Sequence, residues 1–232
     1  MTHRTSISTS IARLSVSLLL LLAASAGGHA QLKSMFRLEK DSIPLFRGFS
    51  VSFDALGAAQ MALSDYGQYE GALRINLHDQ WFPILELGMG RANHENDEVT
   101  GLTYKTSAPY FRLGMDWNIL RNKHQANRLY IGFRYAHTSY KVDMVREALP
   151  DPVWLSETSF GVKDMSCYQH WLEVVAGIDA KVFGPLHLGW SVRYRRRLAH
   201  NDGYTGNVWY VPGYGIQEST RLGGTFNVII DI

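Results

Sequence analysis

Hydrophobic and polar residues alternate strictly along residues 69–90. Apolar side chains recur at every second position up to Leu77 and again from Trp81, and a short polar break at 78–80 separates the two runs. Alternation with a period of two on both sides of such a break is typical of a β-hairpin. Each arm has about the 9–11 residues that cross a bilayer as a tilted strand. The segment therefore predicts a hairpin of membrane-spanning length.

The same alternation recurs along the rest of the chain and predicts eight strands. Their approximate ranges are 45–56, 69–78, 81–90, 104–120, 128–140, 169–182, 186–198 and 221–232. Long connections at 57–68, 92–103, 141–168 and after 198 alternate with short ones at 78–80, 121–127 and 183–185. An even number of strands with connections of alternating length is the pattern of a bacterial outer-membrane barrel, whose short turns are periplasmic. No segment with helical periodicity of useful length interrupts this series.

The first 30 residues have the features of a secretory signal peptide. Arg4 and Arg13 flank the start of an apolar stretch at 14–24, and small residues follow at two cleavage sites, after Ala26 and after Ala30. We favour the second site, which makes 31–44 a periplasmic leader and 45–232 the barrel domain. Beyond residue 30 no apolar run reaches the roughly 18 residues of a membrane helix. Membrane insertion would therefore require a closed barrel.

Three features favour a membrane barrel over a soluble one, in which the apolar face would point inward. Small residues make room for long charged neighbours inside a narrow barrel, and glycines recur on the polar face at 48, 88, 90, 114, 132, 177, 189 and 223. Aromatic residues near the strand ends predict two interfacial girdles. The first comprises Trp81, Phe82, Trp117 and Phe183, and the second Tyr104, Tyr110, Tyr140, Tyr168 and Tyr194. The final strand is amphipathic as well.

The run Arg-Leu-Gly-Gly-Thr-Phe-Asn-Val at 221–228 resembles the terminal signal that the barrel assembly machinery reads in outer-membrane barrels. Over residues 45–232 the pattern resembles small OmpA/OmpX-type barrels and, more closely, the uncharacterised secreted barrel families of Gram-negative bacteria. The resemblance implies an all-β fold, an eight-stranded antiparallel up-and-down transmembrane β-barrel. It also implies residence in the outer membrane of a Gram-negative bacterium, with the assembly machinery and membrane lipid as partners.

Charge and cysteine content exclude several classes of function. The chain has 23 Lys and Arg against 21 Asp and Glu, and loss of Arg4 and Arg13 with the signal peptide makes it formally neutral. Nucleic-acid binding is therefore not indicated. The single cysteine, Cys167, cannot form an internal disulfide and is interpreted as an incidental loop thiol. No Cys/His spacing resembles a metal site, so we expect no bound metal. We also expect no cofactor and a monomeric protein.

Charges of both signs fall on the polar face of nearly every predicted strand. The acidic set is Asp54, Glu70, Glu86, Asp116, Glu173 and Asp179, and the basic set is Arg74, Arg112, Arg134, Lys181, Arg193 and Arg195. An eight-stranded barrel is only wide enough to be filled by its own side chains. Because an unpaired buried charge costs several kcal/mol, these groups should form ion pairs. The sequence predicts a plugged lumen, with a small-solute channel as the alternative.

A basic cluster closes the seventh predicted strand at its outer end. It comprises Arg193, Arg195, Arg196 and Arg197. Arginine suits bidentate contacts with phosphate, so the cluster is a candidate site for lipopolysaccharide phosphates. The alternatives are an ordinary basic rim, or partners for the interior carboxylates.

Two predicted loops carry further candidates. Oxygen ligands at Asn93, Glu95, Asp97 and Glu98 could hold Ca²⁺, although their spacing does not fit an EF-hand and a solvated polar loop is the simpler interpretation. The loop at 203–215 carries Tyr204, Trp209, Tyr210 and Tyr214. These aromatic residues could form an adhesive or glycan-stacking surface, or could serve as interfacial anchors.

We therefore expect a non-enzymatic outer-membrane barrel with a structural or surface-interaction role and no catalytic residues. The rival is a lipid-modifying hydrolase or acyltransferase, which needs a nucleophile and a base within hydrogen-bond reach. The candidates are His137 with Thr138 or Ser139, and His170 with Ser166. Neighbouring residues in a strand point to opposite faces, so His137 and Thr138 cannot easily pair.

Overall fold

The computed structural model describes residues 43–98, 100–150 and 157–232. The predicted signal peptide and most of the predicted leader lie outside the described residues. Within the described ranges, no helix is long and apolar enough to cross a membrane.

Eight long strands form a closed barrel, which confirms the predicted fold class. The chain order is β1 (Phe46–Asp54), α1 (Ala55–Leu63), β2 (Tyr66–Leu77), β3 (Trp81–His94), β4 (Leu102–Asn118), β5 (Arg128–Pro150), β6 (Glu157–Phe183), β7 (Leu186–Asn201), β8 (Tyr210–Val211), β9 (Gly215–Ile216) and β10 (Thr220–Asp231). Each barrel strand pairs antiparallel with its neighbours, and β10 closes the barrel between β7 and β1. The short pair β8–β9 lies within the last loop.

Side chains alternate between the outside and the lumen as the sequence predicts. On β7, Trp190 is 59% exposed, whereas the next residue, Ser191, is 5% exposed. The outward apolar side chains form a continuous band, the apolar belt, which on β5 extends from Leu129 to Tyr135. Members on the other strands include Phe49, Val51, Phe53, Leu73, Ile75, Leu85, Leu87, Phe111, Leu113, Val174, Ile178, Val192, Tyr194, Leu222 and Ile230. The belt has the composition of a lipid-facing surface.

The predicted long loop at 141–168 is wrong, because most of it is strand. β5 continues to Pro150 and β6 begins at Glu157, so the two form a hairpin that extends well past the belt. In this extension the faces exchange polarity: Val142 and Met165 point inward and are buried, while Asp143 and Asp164 are hydrogen-bonded on the outside. Cys167 is therefore a buried residue of β6 rather than a loop thiol.

The loop predicted at 57–68 is largely a helix, α1, which the sequence pattern did not indicate. Asp54 caps it, because the Asp54 carboxylate accepts a hydrogen bond from the Leu56 amide at 3.1 Å. The helix is rich in alanine, a strong helix former, and the Ser64 amide closes its end on the Gln60 carbonyl at 2.9 Å. At nine residues, α1 is too short for its periodicity to stand out.

Part of the predicted aromatic girdle lies inside the barrel. Tyr104, Tyr110 and Tyr140 are almost fully buried, as is Phe82, because their parity along the strands directs them inward. Tyr168, Tyr194 and Phe183 do face outward. An aromatic residue near a strand end can therefore be an interfacial anchor only when its position in the alternation directs it outward, as it does for the residues of the belt.

Glycine makes room for these buried rings, as the sequence indicates. A Cβ on Gly88 would overlap the Tyr110 ring, and a Cβ on Gly177 would lie 2.5 Å from the Tyr130 ring. Each glycine sits directly opposite its tyrosine across the strand pair. The close approach is what allows two tyrosines to enter a lumen already filled with charged side chains.

Candidate functional site

The lumen contains a layered network of ion pairs. Nearest the short-turn end, Arg134 forms a bidentate pair with Asp116, at 2.6 and 3.0 Å, and Arg74 contacts Asp179 at 2.6 Å and Asp116 at 3.2 Å. Arg134 also reaches Glu86 at 3.1 Å, which connects this layer to the next. All of these side chains are buried, so their opposite charges neutralise one another inside the lumen.

A second layer lies nearer the long-loop end, around three glutamates. Glu86 also pairs with Arg193 at 2.7 Å and with Arg112 at 3.2 Å. Glu70 accepts from Arg112 and, at 2.6 Å, from the Tyr110 hydroxyl. Glu173 is shared by three guanidinium groups, at 2.9 Å for Arg112, 3.2 Å for Arg195 and 3.6 Å for Arg193.

The lumen between these layers holds almost no free space. The cavity bounded by Glu70, Glu86, Arg134 and Arg193 has a volume of about 10 Å³. A single water molecule needs roughly 10–15 Å³, so this space admits at most about one. The predicted ion-paired interior is present, with two differences in its membership.

Two residues of the predicted interior set act differently. Lys181 is exposed near the β6–β7 turn, where its long side chain reaches water and avoids the cost of burying the ammonium. Asp54 is buried, but its carboxylate caps α1 and accepts from the Phe226 amide at 3.2 Å.

The loop between β7 and β10, residues 202–219, enters the mouth of the barrel and is called the inserted loop below. Its turn at Val211 to Tyr214 is closed by a hydrogen bond from the Tyr214 amide to the Val211 carbonyl, at 3.1 Å. Gly213 adopts a φ of +80° there, and a Cβ on it would overlap the Tyr110 ring. A glycine is required at this position on both grounds.

Hydrogen bonds to main-chain carbonyls hold the inserted loop in the mouth. Arg112 donates to the Gly213 carbonyl and Arg195 to the Tyr214 carbonyl, both at 2.7 Å. The Tyr104 hydroxyl donates to the Tyr210 carbonyl at 2.6 Å, and the Tyr210 hydroxyl donates to the Gly67 carbonyl at 3.0 Å. The loop is therefore bonded both to the charged network and to the barrel wall.

Burial divides the aromatic residues of the inserted loop into two groups. Tyr210 and Tyr214 are buried and cannot form the stacking surface considered from the sequence. Tyr204 is 77% exposed, and Trp209 is half-buried. One sequence signal could have indicated that Tyr210 and Tyr214 are buried. It is the Val-Pro-Gly-Tyr turn at 211–214, which is apolar at both ends and therefore disfavours contact with water.

Trp209 lines a pocket of about 470 Å³ at the long-loop end, the rim pocket, together with His94, Leu102, Tyr104 and Gln217. The His94 ring lies 5.0 Å from the Trp209 ring, at an interplanar angle of 31°. Its Nδ1 is 2.7 Å from Asp65, and its Nε2 is 3.3 Å from Asp97. The hydrogen bond with Asp65, followed by that with Asp97, raises the pKa of His94 above its usual 6.5.

Two of the four residues considered as calcium ligands, Glu95 and Asp97, are already engaged by neighbouring protein groups. Asp97 accepts from the Thr100 amide and hydroxyl, at 2.8 and 2.9 Å, and Glu95 pairs with Lys105 at 3.1 Å. In the described part of the chain, no group of three or more His, Cys, Asp or Glu side chains is arranged to hold a metal ion.

Comparison with known proteins identifies the family. Residues 9–231 match the family described as a domain of unknown function, DUF6048. This chain belongs to that family. No curated protein matches it. Among solved structures, it is similar to a major outer membrane protein from Thermus thermophilus, with 13% identity over 80% of this chain and 98% of the other, at a TM-score of 0.44.

Side chains alternate between the lumen and the outside along β7, and this alternation separates the arginines of the basic cluster of the DUF6048 chain. Arg193 and Arg195 are buried in the lumen network, so they are partners of interior carboxylates and do not face a lipopolysaccharide layer. Arg196 is exposed and Arg197 is half-buried. For these two residues, the contact with lipopolysaccharide phosphate stays a prediction.

The histidines considered as bases in this DUF6048 barrel face outward. His137 and His170 oppose each other on β5 and β6, with ring centroids 4.3 Å apart. Thr138 points inward, and its hydroxyl donates to the Pro109 carbonyl at 3.0 Å. His170 instead contacts the Tyr135 hydroxyl at 2.6 Å. Among the described residues, no hydrogen bond joins either histidine to the serine or threonine proposed as its nucleophile.

Proposed function

We propose that this chain is a monomeric outer-membrane β-barrel with a closed lumen, which acts through its surfaces rather than by conducting solutes or catalysing a reaction. Export through the periplasm, guided by the predicted signal peptide, and insertion by the barrel assembly machinery belong to this proposal. Its role is structural, or is the binding of a ligand at the long-loop end, which faces the cell exterior in this orientation.

The apolar belt supports the placement in a membrane. Exposed side chains such as Trp190, Val192 and Leu113 would carry a large cost in water, since apolar burial is worth about 25 cal/mol per Å². Beyond the belt, the β5–β6 extension has its apolar side chains inside and its charges outside. That reversal is expected where a strand leaves lipid and enters water.

The proposal of a closed lumen is supported above all by the direct contact between the ion-pair network and the inserted loop. Arg112 contacts Glu70 and Glu86 and also the Gly213 carbonyl, so the network and the loop close the same passage. The short-turn end has its own contacts, since Arg128 pairs with Asp231 at 2.5 Å and stacks over the Phe82 ring. A general diffusion pore requires a continuous aqueous path.

Quenching by brominated lipid tests the membrane placement. Trp190 lies in the belt, whereas Trp171 is fully buried inside the barrel. In vesicles of brominated phospholipid, we expect Trp190→Phe to remove a large part of the quenched tryptophan emission. The matched variant Trp171→Phe should leave the amount of quenched emission unchanged. Equal effects of the two substitutions would contradict a lipid-facing belt.

A lipid-modifying enzyme is the rival function, and mass spectrometry of lipid A decides between the two. We expect identical lipid A from cells with and without the chain. A new lipid A species that disappears with His137→Ala or His170→Ala would overturn the non-enzymatic proposal. Both histidines face outward at the edge of the belt, so these substitutions should leave the barrel intact.

A further inference from the structure

The barrel wall is incomplete between β1 and β10. β1 is the shortest barrel strand, at nine residues, and it pairs with β10 only through Ser50–Asp54, opposite Asp231–Asn227. β10 continues from Phe226 to Thr220 toward the long-loop end, paired there with β7 alone. Along this stretch its other edge has no partner strand among the described residues. The chain instead leaves the wall as α1, which packs against β2 and β10.

A cavity of about 460 Å³ occupies the break in the wall. We call it the wall window. Its outer margin is formed by Leu56 and Leu63 of α1 and by Leu222 of β10, which are 47%, 87% and 70% exposed. Its inner side is formed by Arg195, Arg221 and Tyr210. The window therefore leads from an apolar outer margin to a polar inner side, which also includes Asp54 and Gln68.

Of the two arginines at the inner side, Arg195 is balanced and Arg221 is not. Arg195 contacts Glu173 at 3.2 Å and donates to the Tyr214 carbonyl at 2.7 Å. Arg221 donates one weak hydrogen bond, to the Ile216 carbonyl at 3.4 Å, and has no ion pair among the described residues. The carboxylate of Asp54, which also lines the cavity, accepts from the Leu56 and Phe226 amides. An anion in the window would therefore find its partner in the guanidinium group of Arg221.

The height of the window indicates the source of that anion. Leu222 pairs with Tyr194 at the upper edge of the apolar belt, and Thr220 pairs with the exposed Arg196 beyond it. In the proposed orientation this is the level of the outer-leaflet headgroups. A lipid at this height presents phosphate to Arg221 and acyl chains to the leucines. Arginine pairs with phosphate through two parallel hydrogen bonds.

We propose that the wall window binds an anionic, phosphate-bearing lipid of the outer leaflet, with its phosphate on Arg221 and its acyl chains along Leu56, Leu63 and Leu222. The proposal rests on the placement of the barrel in an outer membrane. It concerns a different surface from the exposed rim arginines considered from the sequence. It assigns to α1 the role of holding the window open.

Lipid binding to the purified full chain tests the proposal. The chain is kept in nonionic maltoside micelles, and native mass spectrometry follows titration with short-chain phosphatidylglycerol, with phosphatidylcholine of the same acyl length, or with inorganic phosphate. We expect phosphatidylglycerol to bind most tightly. Arg221→Gln should weaken that binding about tenfold, as expected for loss of one charge-assisted hydrogen bond. The control Arg91→Gln removes an exposed arginine near the long-loop end of β3 and should have no effect.

A second variant covers the apolar side of the window. Leu63→Asp places a carboxylate at an exposed position of α1, so it should weaken phosphatidylglycerol binding without disturbing the lumen network. Equal effects of Arg221→Gln and Arg91→Gln would overturn the proposal, as would equal binding of inorganic phosphate and lipid. Failure of the wild-type chain in the brominated-lipid experiment would contradict both the membrane placement and the window. Membrane insertion without lipid preference would contradict the window alone.

Discussion

Arg112 donates a hydrogen bond to the main-chain carbonyl of Gly213 at 2.7 Å, which joins the charged interior of the barrel to the inserted loop. The same guanidinium pairs with Glu70, Glu86 and Glu173. Because one rigid, planar group makes all of these contacts, the loop cannot leave the mouth without leaving donors of Arg112 unpaired. The loop and the network should therefore behave as one cooperative unit.

Removal of one network cation should destabilise the barrel strongly. Arg134→Ala removes the bidentate partner of Asp116, which keeps only Arg74 at 3.2 Å, and takes away one partner of Glu86 inside the lumen. Loss of one member of a buried ion pair costs about 3–5 kcal/mol. We expect that loss in the free energy of urea-induced unfolding in micelles. Arg91→Ala, at an exposed position, should change it by no more than about 0.5 kcal/mol. A cost of Arg134→Ala equal to that of Arg91→Ala would show that Arg134 is solvated.

Two buried tyrosines give a matched test of how the inserted loop is held. The Tyr104 hydroxyl donates to the Tyr210 carbonyl, whereas the buried Tyr140 hydroxyl has no hydrogen-bond partner within the described residues. Tyr104→Phe should therefore lower the free energy of unfolding by about 1 kcal/mol and loosen the loop to proteolysis. Tyr140→Phe should be neutral or slightly stabilising. The opposite order would mean that the loop is not anchored through Tyr210.

Close packing in the lumen makes a prediction for glycine. Gly88→Ala would force a Cβ into the Tyr110 ring, and that ring cannot move aside because Gly213 and the Arg112 guanidinium lie against it. Overpacking of this kind costs about 1–3 kcal/mol. The control Gly161→Ala should be tolerated, because its Cβ would have no neighbour within 4 Å. Equal unfolding midpoints for the two variants would argue against a filled lumen.

The rim pocket should respond to pH through His94. Its folded pKa is raised above 6.5 by Asp65 and Asp97, so its stabilising contribution is complete below the unfolded pKa and is lost as pH rises through the folded pKa. A protonated imidazole against the indole quenches its emission. We expect Trp209 fluorescence to increase with pH, with a midpoint above 6.5.

The corresponding control is another histidine at the same end of the barrel. His200 lies 3.5 Å from Asp202, and no ring contact joins it to Trp209 in the described structure. His94→Gln should abolish the fluorescence transition, and His200→Gln should preserve it. A transition that survives His94→Gln would assign the response to another group.

The sequence predicted the barrel well because period-two alternation is a direct consequence of strand geometry. Phe49, Trp190 and Ile131 lie outside, and Glu86 and Arg134 inside, as their parity indicates. The same reasoning missed the β5–β6 extension, where Val142 and Met165 are buried while the adjacent Lys141, Asp143 and Asp164 are exposed. Beyond the apolar belt, the polar side chains of the strands face outward and the apolar side chains face inward. A search for outward apolar residues therefore assigns such a segment as a polar loop.

The candidate site was predicted only in part, for a related reason. Balanced lumen charges indicated an ion-paired plug, but the partners of Arg112 lie on several different strands, and no local spacing reveals them. The inserted loop was expected at the surface, where loops usually lie. Its entry into the barrel depends on hydrogen bonds from Tyr104 and Arg112 of β4 and from Arg195 of β7, which are far from the loop or from each other in the sequence.

Planar-bilayer recording of the purified wild-type chain tests the closed lumen most directly. We expect a silent membrane, because the ion-pair network and the inserted loop both lie across the passage. A variant with 207–217 replaced by a short Gly-Ser linker should also stay closed, since the network below it remains. Steady wild-type conductance in the nanosiemens range would contradict the account.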